Sequence, residues 1–123
     1  MKNLTIERVA YPHDNCLKFI FRNEFTKDQA EEGIEIWKKV FHSKPDEKFT
    51  LIWHCLEMKG YEPSSRRLWQ QAMKELKAQI ECIWLVSNSK VIKYGASLMS
   101  LFTSFEIKTV HSEDEIMISQ SYS

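Results

Sequence analysis

Phe49-Thr50-Leu51-Ile52-Trp53-His54-Cys55-Leu56 is nearly continuous apolar sequence. A strand with one face in water alternates apolar and polar residues. An unbroken run marks a strand covered on both faces, as at the centre of an α/β sheet. Cys82-Ile83-Trp84-Leu85-Val86 reads the same way. Between the two runs, Leu68, Trp69, Ala72, Met73, Leu76 and Ile80 fall on one broad helical face. Strand, helix and strand with short connections form a right-handed crossover unit.

A second crossover follows toward the C-terminus. Its helix runs from about Lys90 to Phe102, with Val91, Gly95, Leu98, Met99 and Phe102 as the expected buried stripe. Phe105 to Val110 alternates, as an outer strand does. Ser112-Glu113-Asp114-Glu115 has the form of a capping box opening a short last helix, and residues 119–123 are expected to fray. Toward the N-terminus, Thr26-Lys27-Asp28-Gln29 is another capping box. Its helix carries the stripe Ala30, Ile34, Trp37, Val40 and Phe41 and should stop near Ser43, ahead of Lys44-Pro45. Leu17, Phe19 and Phe21 alternate with Lys18, Ile20 and Arg22, and Leu4 to Val9 reads as a short strand. The turn cluster Tyr11-Pro12-His13-Asp14-Asn15 between them makes an antiparallel hairpin. The expectation is one α/β domain over residues 1–123. It has a mixed, mostly parallel β-sheet with helices packed on it, in the order β-β-α-β-α-β-α-β.

Composition narrows the function. The 123 residues carry 17 Lys+Arg and 17 Asp+Glu, without the basic excess of a nucleic-acid binder. No stretch resembles a signal peptide or a membrane span, so a cytoplasmic protein with no membrane partner is expected. Cys16, Cys55 and Cys82 are odd in number, lack a C-x-x-C and adjoin apolar runs, which reads as buried reduced thiols.

The sequence holds no convincing catalytic motif. G-x-S-x-G is absent, and Gly33, Gly60 and Gly95 are too far apart for a phosphate loop. Gly33 and Gly95 fall inside helices, where close packing explains them. His13, His42, His54 and His111 are scattered, and His54 and Cys55 point to opposite faces of one strand. No metal or cofactor is expected, and His54 reads as a hydrogen-bonded interior histidine. Glu57 and Glu62 lie near the C-terminal end of the central strand, where α/β sheets bind ligands. Solvated loop charges explain them more simply. Trp37, Trp53 and Trp84 read as core, while Trp69 suits packing or an interface anchor equally.

Two loops carry what functional signal there is. Lys59-Gly60-Tyr61-Glu62-Pro63-Ser64-Ser65-Arg66-Arg67 joins the central strand to its helix, with Ser64 or Ser65 placed as N-cap. A helix N-terminus attracts anions, and Arg66 and Arg67 add positive charge. Ser87-Asn88-Ser89-Lys90 caps the next helix beside it. The candidate partner- or anion-binding residues are therefore Ser64, Ser65, Arg66, Arg67, Trp69, Ser87 and Asn88, with plain capping as the competing explanation.

The element order, the Ser64-Ser65 pair and the stretches from Ile83 to Phe102 and Phe105 to Glu115 resemble the STAS domain, the sulfate transporter and anti-sigma factor antagonist family. The likeness is to its small bacterial stand-alone, sporulation-antagonist-like branch and runs from about Leu17 to Ile118. The family carries Asp-Ser-Ser-Gly in this loop. Its phosphorylatable serine falls on Ser64, while Pro63 and Arg66 stand in place of the Asp and Gly. The resemblance implies a non-enzymatic regulator that binds a signalling protein through residues 59–69. The alternative it implies is a domain of similar fold enclosing a small apolar, lipid-like ligand. An enzyme would need a polar cleft near Glu57, Ser64 and Ser87. A homodimer would pair the edge of the first strand pair.

Overall fold

The computed structural model describes residues 3–11, 15–103 and 105–121, the side chains at 102 and 118–121 excepted. In chain order the elements are β1 (Leu4–Val9), β2 (Cys16–Phe25), α1 (Lys27–Ser43), β3 (Phe49–Tyr61) and α2 (Pro63–Leu76). One 3-10 turn (Lys77–Gln79) leads to β4 (Ile80–Val86), α3 (Lys90–Thr103), β5 (Ile107–Val110) and α4 (Glu113–Ser121). The strands form one five-stranded sheet in the order β1-β2-β3-β4-β5. β1 is antiparallel to β2, and every later pair is parallel. This is the mixed, mostly parallel sheet expected from the sequence.

Sequential strand order has a consequence for the layers. Right-handed crossovers that all step in one direction leave their helices on one face. Accordingly Phe19 and Phe21 of β2, Leu51 and Trp53 of β3, and Ile83 and Leu85 of β4 pack against α1, α2 and α3 in one core. The opposite face holds a smaller cluster, in which Ile52, Trp84 and Val86 meet Ile116 of α4. The unbroken apolar run of β3 is thus explained. In that run Phe49, Leu51, Trp53 and Cys55 face the helices, Ile52 joins the cluster with α4, His54 bonds Glu113, and Leu56 is exposed.

Thr26 caps α1, its hydroxyl accepting the Gln29 N–H at 3.3 Å. α1 ends at Ser43, where the Gln79 amide donates to the carbonyls of Phe41 and Lys44 at 2.9 and 3.0 Å. Phe41 O also accepts the N–H of the C-cap Lys44 at 3.2 Å, so this end of the helix is closed by bonds from outside it. Gly33 of α1 permits close packing against β1 and α2. A Cβ there would lie 2.5 Å from Leu4 Cδ2 and 3.2 Å from the Trp69 ring.

Three expectations change. Ile80 belongs to β4 rather than to the α2 stripe, because the 3-10 turn ends the helix and Ile80 pairs with Phe49. In α3 Gly95 and Met99 are buried as expected, but Ile92 and Ala96 complete the stripe in place of Val91, which is exposed, and Leu98, which is half-buried. The Phe102 side chain and residues 12–14 of the first turn lie outside the described residues, as do 122 and 123 of the tail, while residues 119–121 continue α4.

Candidate functional site

β2 and β3 run on together beyond the rest of the sheet. Asn23 pairs with Met58, Glu24 with Gly60 and Phe25 with Tyr61, across two register shifts. Asn23 absorbs the irregularity at φ 58°, a left-handed conformation that asparagine tolerates. The Glu62 N–H continues the ladder to Phe25 O at 3.0 Å. Glu62 alone therefore separates β3 from α2. The nine-residue loop expected over Lys59–Arg67 is instead a strand end, one linking residue and a first helical turn. The ladder partner supplied by β2 extends the strand. Pro63 starts the helix, its fixed φ suiting the first position and its missing N–H needing no acceptor.

Neither serine is the N-cap. That position is Glu62, whose side chain makes no cap bond to its own helix. Its carboxylate instead accepts the Lys27 N–H at 2.9 Å, which ties the starts of α1 and α2 together. Ser65 is buried, with its Oγ 2.6 Å from Glu62 O and 2.9 Å from Phe25 O, so its one proton pins α2 to the end of β2. Ser64 is half-buried in the first turn, which contains no acidic residue. Arg66 is half-buried and donates to Gln70 Oε1 at 3.1 Å, and Arg67 is exposed. Arg66 and Arg67 thus put positive side chains at the positive end of the helix dipole, beside the Glu62 carboxylate at the N-cap. Trp69 is in the core, 2% exposed, and offers no surface to a partner.

The second loop is a capping structure. Ser87 is buried, and its hydroxyl accepts the Ser89 N–H at 3.1 Å. Ser89 in turn accepts the Ile92 N–H at 3.3 Å at the start of α3. Asn88 is exposed and bonds His111 Nδ1 at 2.8 Å, just ahead of α4. Of the seven candidates, Ser64, Arg66, Arg67 and Asn88 thus retain a surface, while Ser65, Trp69 and Ser87 support it from inside.

Between α2, α3 and the sheet lies a cavity of about 50 Å³ with a wholly apolar inner surface. Trp53, Cys55, Met58, Tyr61, Trp69 and the stem of Arg66 are among its walls. Burial pushes the Cys55 thiol far up, so it stays protonated and unreactive. Glu57 is exposed and paired with Arg22 Nε at 3.1 Å, so Glu57 and Glu62 serve different partners. Among the described residues no three His, Cys, Asp or Glu side chains are grouped to share a metal.

The far face holds a polar cluster that the sequence reading missed. Glu113 Oε1 lies 2.6 Å from Lys18 Nζ and 3.1 Å from His54 Nδ1, and Tyr11 donates to Glu113 Oε2 at 3.2 Å. Lys18 also donates to the Tyr11 hydroxyl at 3.0 Å. Burial raises the Glu113 carboxyl, but the bonds and charges of Lys18 and His54 outweigh it and hold the group below the usual carboxylate range. Burial likewise lowers Lys18, and Glu113 and Tyr11 together raise it above its ordinary value. Two signals were local, the capping box at 112–115 and His54, read as a hydrogen-bonded histidine, which bonds Glu113. Glu115 does accept the Ser112 N–H at 3.0 Å and that of His111. Nothing local announced that Glu113 would meet residues from the opposite end of the chain. The arrangement fastens the start of α4 to the sheet.

No family model matches the sequence, and no curated protein matches it. Solved structures match its fold. One is an uncharacterized protein of the DUF3478 family with a SpoIIAA-like fold from Shewanella loihica, at 12% identity and TM-score 0.72, covering 94% of this chain and 90% of that one. Another is the anti-sigma factor antagonist SpoIIAA in its unphosphorylated form, at 15% identity and TM-score 0.66, with 97% of each chain covered. The chain therefore has a SpoIIAA-like fold, in agreement with the STAS-type resemblance of its sequence. Among the described residues no helix is long and apolar enough to cross a membrane.

Proposed function

We propose that this SpoIIAA-like chain is a non-catalytic regulatory module of the cytoplasm that binds a signalling protein through the start of α2. One observation carries the reading. α2 opens at the surface, at the C-terminal edge of the sheet, with no acid in its first turn and with Arg66 and Arg67 beside Ser64. The bonds of Ser65 and Glu62 hold that turn in place before any partner arrives, which lowers the ordering cost of binding. Ser64, Arg66, Arg67 and Asn88 are the contact residues, and an acidic or phosphorylated surface is their complement. A phosphate on Ser64 itself would bring about two negative charges next to two arginines and cancel the basic character of this surface. That SpoIIAA is an anti-sigma factor antagonist supports a protein partner.

The test compares proteins retained by the immobilised wild-type chain with those retained by an Arg66→Glu, Arg67→Glu double variant. A protein held by the first and lost by the second, and then titrated in purified form, supports the proposal. A retained set indifferent to both charge reversals overturns it.

The apolar cavity favours a second reading, a small apolar ligand. At about 50 Å³ the cavity is roughly a third of the ~150 Å³ that admits benzene in an engineered core. A lipid-like ligand would need Tyr61 and α3 to move apart. Release of a stoichiometric apolar molecule on denaturing the purified protein would bring this reading forward. The exposed edge of β1 is the place where two copies would pair.

A further inference from the structure

α3 meets the sheet through Ile92, Ala96 and Met99, with Thr103 also buried at its end. On another side of the same helix Val91, Tyr94 and Leu101 are 62%, 64% and 77% exposed, and Leu98 between them is half-buried. Positions 91, 94, 98 and 101 are spaced by three, four and three residues. That is the a and d spacing of a helix–helix seam, a single narrow row rather than a broad apolar face. Over these positions the row is about 15 Å long, which matches two to three turns of a second helix.

We propose that this row docks an acidic amphipathic helix of a partner protein; the inference rests on the reading of the chain as a partner-binding module. The charges name the sign. α3 contains Lys90 and Lys93 and no Asp or Glu. Both lysines lie in its first turn, where the helix dipole is already positive, and its last turn has no basic residue. This charge pattern is unfavourable for an isolated helix and favourable beside carboxylates; Glu115 of α4 supplies one to Lys93, and Lys90 flanks the row itself.

The same features disfavour other occupants. A parallel second copy would set lysine against lysine. An antiparallel copy of α3, which holds no Asp or Glu, would offer no carboxylate to the lysines. A lipid surface takes a broad apolar face, and here Lys90 and polar Ser97 flank the row.

The probe is a two-heptad helical peptide with leucine at a and d and glutamate elsewhere, set against its lysine counterpart. Both are titrated into the isotopically labelled full chain and followed by amide shifts. The glutamate peptide is expected to shift residues 91–101 saturably and to bind roughly tenfold tighter than the lysine peptide. Leu101→Glu, at an exposed position, should abolish this while leaving the thermal midpoint unchanged. Lys90→Glu with Lys93→Glu should reverse the preference between peptides. Equal binding of both peptides, or binding of neither, overturns the inference. Binding that survives Leu101→Glu but is lost in Arg67→Glu also overturns it, and leaves the α2 reading intact. Association with anionic vesicles but not with the peptide, or a concentration-dependent dimer lost in Leu101→Glu, reassigns the row to a membrane or to a second copy and overturns it likewise.

Discussion

Trp69→Ala separates a core residue from a surface anchor at the start of α2. Trp69 is 2% exposed. Its ring centroid lies 5.6 Å from Phe19, 5.7 Å from Phe21, 5.2 Å from Phe25 and 5.2 Å from Trp37, and three of the four contacts are edge-on. A tryptophan buries ~150–250 Å², which at ~25 cal/mol per Å² is about 4–6 kcal/mol and an upper bound. Its indole N–H is buried without a hydrogen-bond partner, so removing it returns part of that. Truncation of large aromatics in cores costs about 3–5 kcal/mol, and about 4 kcal/mol is expected here. A chain of this size has roughly 6–18 kcal/mol in total, so the variant should fold with much reduced stability. Urea unfolding followed by circular dichroism is the assay. With a slope of about 2 kcal/mol per M, the midpoint should fall by about 2 M. A loss under about 1 kcal/mol would refute the packing account and return Trp69 to the surface as a binding anchor.

Gly33→Ala gains about 1 kcal/mol of helix propensity, but its Cβ meets the Trp69 ring at 3.2 Å and Leu4 at 2.5 Å. Trp69 is pinned by its aromatic neighbours and cannot yield, so a net loss of about 1 kcal/mol is expected in the thermal midpoint, and a gain would contradict the packing. Ile116→Ala removes the side chain through which α4 enters the small core, at a cost of about 2–4 kcal/mol. Hydrogen exchange should show α4 opening ahead of the sheet, whereas exchange unchanged at α4 would mean that it is held by other means. The Glu113 carboxyl is depressed in the folded protein, so its contribution is present above the ordinary carboxylate pKa and is lost as pH falls through the lower folded value. Glu113→Gln should cost about 1 kcal/mol at neutral pH, discounted for partial exposure, and should flatten the acid limb of stability against pH. Identical acid limbs for the two proteins would rule out the clamp.

Element types and their order were legible because apolar period is a local property. The run from Phe49 to Cys55 identified a central strand, and the alternation in β2 and the stripe of α1 did the same for their elements. Boundaries were less legible where a distant partner decides them. β3 continues to Tyr61 because β2 runs alongside it, and that turned an expected loop into a strand end and a helix start. The candidate site changed with it. Ser64, Arg66 and Arg67 stayed at the surface, while the Ser65 hydroxyl and the Trp69 ring turned inward.

By itself the sequence determined the alternation of strands and helices, the central position of β3, the balance of charge and the cap at Thr26. All of these follow from residue type and spacing within a few turns of chain. The tertiary structure alone decided which face of α3 is buried. Its sequence is apolar over more than half of the helix circumference, so stripes one residue and about 100° apart were both available until the sheet took Ile92 and Ala96 and left Val91 and Leu98 outward. It alone brought Glu113 to Lys18, His54 and Tyr11, because contacts between residues far apart in the chain exist only once the sheet has formed.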